Sequence, residues 1–170
     1  MARALIVGCG CYGRALGNEL SAAGWQVRGT SRTPHGLEAI GHAGLEAALA
    51  DPDRPGSILD LIGDVTVLVW LLGSAGGTDE QVAALHGGRL GSLLEKLVDT
   101  PVRGFAYEAV GETAAEHLAE GRGLVARAAA TWRIPVTMLE RPREPEGWAA
   151  ASADQVAGVV GAPPPSRPAG

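Results

Sequence analysis

Residues 4–20 read ALIVGCGCYGRALGNEL, an apolar run that ends in a glycine-rich turn and continues with apolar residues at helical spacing. The run at 5–7 is typical of a buried strand. Gly8, Gly10 and Gly13 follow it as G-x-G-x-x-G. In that motif the glycines permit a tight turn, close approach of a pyrophosphate, and packing of the helix on the strand. The stretch therefore predicts a phosphate-binding strand–turn–helix unit; the alternative is a glycine-rich turn that binds nothing.

The length and composition of the chain favour one domain. It has 170 residues, of which 46% are hydrophobic and only 4% are aromatic. We expect one α/β domain over residues 1–161, with a core built mainly from Ala, Val, Leu and Ile. Residues 162–170 are rich in proline and are expected to form a disordered tail.

The charge pattern excludes several classes of partner. The formal net charge is −5 and no run of basic residues occurs, which argues against binding to nucleic acid or to an anionic membrane. No apolar run approaches the roughly 20 residues of a membrane span. The opening strand also lacks the charged region and longer apolar core of a signal peptide. We therefore expect a cytoplasmic protein.

Predicted strands and helices alternate along the chain. This order predicts a doubly wound parallel sheet with helices on both faces, three layers, strand order 3-2-1-4-5-6, and a ligand at the switch between strands one and four. The predicted strands after the first are 25–30, 45–49, 65–72, 102–107 and 134–139. The predicted helices after the first are 34–42, 57–62, 79–98 with a break near Gly87 and Gly88, 112–132 and 151–160.

The end of the second strand favours NADP over NAD. NAD-binding units of this type commonly place a carboxylate there to bind the ribose 2′-hydroxyl. Thr30, Ser31, Arg32 and Thr33 occupy this place instead, and a guanidinium with hydroxyls suits a 2′-phosphate. Arg14 is a second, weaker phosphate candidate. The alternative for Arg32 is a solvated loop residue.

Two further loops follow predicted strands. Asp51 after strand three is placed to reach an adenine amino group, or is a turn residue or helix cap. Residues 73–77 after strand four are small, so they either let the backbone approach the cofactor or form a flexible turn. The residues expected to contact the dinucleotide are Gly8, Gly10, Cys11, Tyr12, Gly13, Thr30, Ser31, Arg32, Asp51, Leu72 and Gly73.

The run GCGCYGRALGNELSAAGWQVRGTSRT at 8–33 resembles the extended and atypical short-chain dehydrogenase/reductases, in the branch of NAD-dependent epimerases and dehydratases. The resemblance covers roughly residues 3–140 and is specific only over the first 32. It implies that the three motif glycines form the phosphate turn. It also implies that Arg32 selects NADP and that Asp51 contacts the adenine.

The chemistry that this family carries depends on a Tyr-x-x-x-Lys pair, which the chain cannot form. Its one lysine, Lys96, has Ser92 four residues before it. The family's substrate-binding lobe is also expected to be absent. Tyr107 and Glu108, at the end of strand five, are the weak catalytic candidates; the alternative is a buried tyrosine and a glutamate that begins the next helix.

The cysteines and histidines allow weaker interpretations. Cys9 and Cys11 lie at a predicted helix N-terminus, where thiol pKa values are lowered and oxidation is favoured; the preferred alternative is small residues that fill a tight turn. The histidines at 86 and 117 are predicted to be surface or packing residues. The histidines at 35 and 42 form no credible metal set with the cysteines.

The sequence thus predicts a Rossmann domain that binds NADP(H), lacks the usual catalytic tetrad and acts as a nucleotide-binding or regulatory protein. The alternative is a small NADPH-dependent oxidoreductase or epimerase-like enzyme with unconventional residues. A third and weaker possibility is a degenerate fold that binds no nucleotide. By analogy with the family, a homodimer is expected.

Overall fold

A computed structural model describes residues 2–161, so the predicted disordered tail at 162–170 lies outside the described residues. None of the described helices is both long and apolar enough to cross a membrane. The elements, in chain order, are β1 (Arg3–Val7), α1 (Cys11–Ala22), β2 (Gln26–Ser31), α2 (Pro34–His42), β3 (Glu46–Leu49), α3 (Pro55–Leu59), β4 (Val67–Trp70), α4 (Asp79–His86), α5 (Gly88–Leu97), β5 (Gly104–Glu108), α6 (Ala115–Trp132), β6 (Val136–Leu139) and α7 (Trp148–Val159).

The six strands form one parallel sheet in the order β3-β2-β1-β4-β5-β6, as predicted. β1 lies at the centre, with Ala4 opposite Val27 of β2 on one side and Val67 of β4 on the other. Successive strands are therefore added on one side of β1 up to β3, and on its other side from β4 onward. In such sheets the crevice at the carboxyl ends of these two strands is where ligands bind.

Two apolar cores, one on each face of the sheet, give the predicted three layers. Alternate residues of a strand point to opposite faces, so Leu5 packs with α3 to α6 and Ile6 packs with α1, α2 and α7. Both side chains are fully buried. The nearly continuous apolar sequence of β1 and β4 follows from this two-sided burial.

The predicted helix at 79–98 is divided, as its glycines indicated. Thr78 starts α4 with a capping box to Gln81, and Gly87 ends it with φ −124° and ψ −110°. A Cβ at Gly87 would lie 3.0 Å from the Ala83 carbonyl oxygen, so a side chain fits poorly there. The break leaves His86 as the last residue of α4, with its side chain fully buried.

Two boundaries differ from the prediction in ways that affect the site. β5 extends to Glu108, so this residue belongs to a strand and does not begin the next helix. α7 begins at Trp148, three residues before its predicted start. The Trp148 indole packs edge-on against the Tyr12 ring at 5.3 Å and donates to the Arg141 carbonyl oxygen at 3.2 Å. These contacts attach the β6–α7 loop to the first turn of α1.

Candidate functional site

A cavity of about 540 Å³ lies over the carboxyl ends of β1, β2 and β4. This volume is within the range of small-molecule sites. The predicted contact residues that line it are Gly8, Gly10, Thr30, Ser31, Arg32 and Leu72; Cys11, Tyr12, Gly13, Asp51 and Gly73 lie nearby but do not line it. The fold thus brings the β1 turn, the end of β2 and the end of β4 to one cavity.

The three motif glycines differ in their surroundings. Gly8 has φ +87°, and a Cβ there would lie 2.4 Å from the Leu71 carbonyl oxygen of the β4 end. A Cβ at Gly13 would lie 3.0 Å from the Gly8 oxygen, so Gly13 allows α1 to pack closely on the turn. A Cβ at Gly10 would meet no atom within 4 Å. Gly10 alone therefore leaves open space for a ligand, and it lies in the wall of the cavity.

The N-terminus of α1 faces this open space without a cap. Its N-cap is Gly10, no side chain caps it, and no acidic residue lies in its first turn. The first N–H groups of a helix have no partner within the helix and carry a partial positive charge. Arg14 also lines the cavity. The arrangement has the electrostatic character of an anion site.

The end of β2 presents hydroxyls and an arginine. Ser31 Oγ accepts from the Thr33 N–H at 3.2 Å, and Thr33 Oγ1 caps α2 by accepting from the Gly36 N–H at 3.1 Å. The Thr33 hydroxyl oxygen therefore serves as the N-cap of α2. Arg32 is exposed, lines the cavity and makes no ion pair with any residue in 2–161.

Asp51 organises the loop after β3. Its Oδ1 accepts from the Asp53 N–H at 2.9 Å, and its own N–H donates to Ser57 Oγ at 2.9 Å. This is the geometry of a turn residue, one of the three roles predicted for Asp51. The carboxyl-bearing residue of this loop that lines the cavity is Asp53, beside Pro52.

The loops after β4 and β5 are tightly joined. Gly73 donates its N–H to Glu108 Oε1 at 2.7 Å, and a Cβ at Gly73 would lie 2.2 Å from the Val110 carbonyl oxygen. Ser74 Oγ accepts from the Glu112 N–H at 3.0 Å and lines the cavity. Hydrogen bonds with Glu108 of β5 and with Glu112 in the following loop thus fix the positions of residues 73 and 74.

A buried ion pair between Glu108 and Arg143 was missed at the sequence level. The Glu108 side chain is 1% exposed and that of Arg143 is 25% exposed. Arg143 Nε and Nη2 each lie 2.9 Å from a different carboxylate oxygen, a bidentate pair. Arg143 also lines the cavity. Its only sequence signal was the charged, proline-flanked run RPREPE at 141–146, which follows a strand.

The weak catalytic candidate Tyr107 is fully buried and does not line the cavity. Its hydroxyl lies 2.7 Å from His86 Nδ1, and His86 Nε2 lies 3.0 Å from the Leu72 carbonyl oxygen. Since a carbonyl only accepts, Nε2 carries the proton and Nδ1 accepts from the tyrosine. Burial raises the pKa of the Tyr107 phenol and lowers that of the His86 imidazole. Of the two roles predicted for His86, surface or packing residue, its full burial fits the packing role.

The lowered thiol pKa, the less favoured of the two interpretations, does not hold for Cys9. Its side chain packs toward Gly29, where a Cβ would lie 2.5 Å from Cys9 Sγ. Burial raises the Cys9 pKa to about 11, against a smaller lowering by the Arg14 guanidinium. Cys11 is exposed, and both thiols are free.

Lys96 is exposed on α5 and does not line the cavity. Within residues 2–161, no group of three or more His, Cys, Asp or Glu side chains is placed to hold a metal ion.

Comparison with known proteins identifies the fold only. No protein-family model matches the chain, and no curated protein sequence matches it. Many solved structures are similar at low identity. One is the Citrobacter sp. triphenylmethane reductase complexed with NADP(H), with TM-score 0.63 and 17% identity over 82% of this chain and 49% of that one.

Two other similar structures match nearly their full length. The Escherichia coli serine dehydrogenase has TM-score 0.70 and 17% identity, and covers 95% of this chain and 92% of that one. A putative NAD-dependent epimerase/dehydratase from Bacillus halodurans has TM-score 0.71 and 13% identity, with 94% and 89% covered. The chain spans about half the length of the first structures it matches. The shared architecture is the doubly wound Rossmann fold that the alternation of strands and helices predicts.

Proposed function

We propose that the chain binds NADP(H) in the cavity over β1, β2 and β4 and acts as a nucleotide-binding or regulatory protein. The observation that carries this proposal is the uncapped N-terminus of α1, with open space at Gly10 and Arg14 in the same cavity. A pyrophosphate fits there because helix N–H groups, the helix dipole and a guanidinium all favour anionic oxygens. The similar Citrobacter sp. triphenylmethane reductase is complexed with NADP(H), which supports a dinucleotide in this cavity.

Preference for NADP rests on the end of β2. Arg32 and Ser31 line the cavity at that end, and neither residue is acidic. A 2′-phosphate there would accept from the guanidinium and the Ser31 hydroxyl. Asp53, rather than Asp51, supplies the carboxylate for an adenine amino group, since it lines the cavity and the Asp51 carboxylate is bonded to the loop.

The lack of a proton relay supports a non-catalytic role. A bound nicotinamide supplies hydride transfer, but proton transfer needs a side chain with a suitable pKa within reach. The cavity-lining residues among 2–161 include no His, Tyr or Lys. Tyr107 donates its proton inward to His86, and both Glu108 oxygens are occupied by Arg143.

A small NADPH-dependent oxidoreductase is the second candidate. Ser74 favours it, because its Oγ is fixed by the Glu112 N–H and lines the cavity beyond β4. Its hydroxyl proton would donate to a substrate carbonyl at that end. Oxidation of NADPH by quinones or aldehydes, lost in Ser74→Ala, would support this candidate over the regulatory one.

The test is a calorimetric titration of the protein and of Arg32→Ala with NADPH and NADH. Loss of a hydrogen-bonded charge pair is worth about 1.5–3 kcal/mol, so Arg32→Ala is expected to weaken NADPH binding about 10- to 100-fold. NADH binding is expected to stay unchanged. Arg103→Ala is the matched control, since Arg103 is exposed just before β5, at the opposite end of the sheet. Failure of the unmodified protein to bind either nucleotide would refute the proposal.

A further inference from the structure

Arg143 reaches the phosphate turn from the far end of the chain. Its Nη2 lies 3.3 Å from the Leu71 carbonyl oxygen, the same atom that would lie 2.4 Å from a Cβ at Gly8. Its guanidinium carbon lies 5.3 Å from the centre of the Tyr12 ring, in the first turn of α1. The guanidinium is therefore placed beside the glycine turn.

Part of this guanidinium remains available to a ligand. Nε and Nη2 donate to Glu108, and Nη2 also faces Leu71. Nη1 has no hydrogen-bond partner in the part of the chain that the structure describes, and Arg143 lines the cavity. Since each terminal nitrogen of arginine carries two N–H groups, two donors point to no protein acceptor.

The Glu108 carboxylate holds the guanidinium in place. It is buried, it receives the fork of Arg143 on both oxygens, and its Oε1 is fixed by the Gly73 N–H at 2.7 Å. A planar fork on a fixed carboxylate leaves little freedom to the remaining nitrogen. Donors that are pre-positioned bind a ligand with less loss of conformational entropy.

We propose that Arg143 binds the pyrophosphate of the dinucleotide through Nη1, opposite the N–H groups of α1, and that Glu108 positions it for this role. The proposal rests on the proposed function of the cavity. It makes the β6–α7 loop a part of the nucleotide site. The class of group recognised is a diphosphate oxyanion, because the guanidinium shares the Gly8 turn with the phosphate-binding helix end.

The experiment compares Arg143→Lys with the unmodified protein by calorimetry. Lysine keeps a cation next to buried Glu108 but removes the second arm of the fork. The probes are NADPH, ADP-ribose, which keeps the pyrophosphate without the nicotinamide, and AMP, which has no pyrophosphate. We expect NADPH and ADP-ribose to bind about 10- to 100-fold more weakly and AMP to bind equally. Arg141→Lys, at an exposed neighbour, is the control and is expected to change nothing.

A second variant separates binding from a structural role. The double substitution Glu108→Gln/Arg143→Gln replaces the ion pair by neutral amides and also removes the guanidinium N–H groups and their charge. Loss of ADP-ribose binding at an unchanged melting temperature, in either variant, supports the proposal. Unchanged ADP-ribose affinity in both variants, or an equal loss for AMP, overturns it. If the unmodified protein binds no nucleotide at all, the proposed function fails first and this proposal with it.

Discussion

His86 Nδ1 lies 2.7 Å from the Tyr107 hydroxyl, between the end of α4 and the end of β5, and both side chains are fully buried. The other ring nitrogen binds the Leu72 carbonyl, so the pair connects the core to a residue that lines the cavity. α6 crosses over the pair at Gly121, where a Cβ would lie 2.0 Å from the tyrosine oxygen. This hydroxyl belongs to the packing of the core, with its proton directed inward.

Tyr107→Phe is expected to lower stability without affecting nucleotide binding. It leaves the buried Nδ1 without a donor, which costs about 1–3 kcal/mol. Urea unfolding measures the loss, and NADPH titration measures the binding. Tyr12→Phe, at the chain's other tyrosine, is the control for the unfolding measurement only. A loss of NADPH turnover or affinity in Tyr107→Phe at unchanged stability would contradict this assignment.

Stability is expected to fall as the pH drops below about 6.5, the usual pKa of histidine. Burial lowers the His86 pKa in the folded protein, so the unfolded chain takes up the proton first. The contribution is fully present above the unfolded pKa and is lost as the pH falls toward the folded pKa. The slope for one group is at most about 1.4 kcal/mol per pH unit.

This pH dependence is measured by urea unfolding between about pH 4.5 and pH 8, an interval that spans the usual histidine pKa of about 6.5. His86→Gln is expected to flatten the curve, whereas His35→Gln, at an exposed position, is expected to leave it unchanged. Equal curves for the His86 variant and the unmodified protein would exclude His86 as the source.

The two cysteines are expected to differ strongly in reactivity. At pH 8 a thiol with a pKa of about 11 is ionised to only about one part in a thousand, and Cys9 is also buried. Cys11 is exposed. Iodoacetamide followed by peptide mass spectrometry should therefore modify Cys11 first, and both cysteines equally in urea. Preferential labelling of Cys9 in the native protein would contradict the raised pKa assigned to its thiol.

Gly8→Ala and Gly10→Ala are expected to separate folding from binding. In Gly8→Ala, the alanine must adopt a positive φ, and its Cβ clashes with a backbone oxygen. The substitution is therefore expected to lower the free energy of unfolding by about 3 kcal/mol or more. Alanine at Gly10 meets no protein atom, so stability should stay within about 0.5 kcal/mol. NADPH affinity should still fall at least about tenfold, because the methyl group occupies the open space. Tight NADPH binding by Gly10→Ala would contradict the placement of the pyrophosphate.

The sheet could be predicted from the sequence because its signals are local. The strand order follows from the apolar strand before the glycine turn and from the alternation of strands with helices. The break near Gly87 follows from the glycines in the helix predicted at 79–98. Boundaries were less accurate: a helix start was one of the two roles predicted for Glu108, but the residue pairs with Leu139 of β6 and so belongs to β5.

The unpredicted part of the site depends on distant pairs. Arg143 and Glu108 lie 35 positions apart, and His86 and Tyr107 lie 21 apart. Neither pair has a fixed spacing or motif, since the contact is produced by the order of strands rather than by local geometry. A charged residue in a proline-rich loop is usually solvated, so RPREPE gave no reason to place Arg143 beside the glycine turn.

The contact between Tyr12 and Trp148 forms late during synthesis, because it joins two segments that are far apart in the sequence. The glycine turn leaves the ribosome before the Trp148 ring that packs on its helix, because Trp148 lies far later in the chain. Contacts between segments this far apart in sequence form slowly, because a long loop must close first. The nascent chain therefore carries its first helix without Trp148 and Arg143 until translation has passed β6.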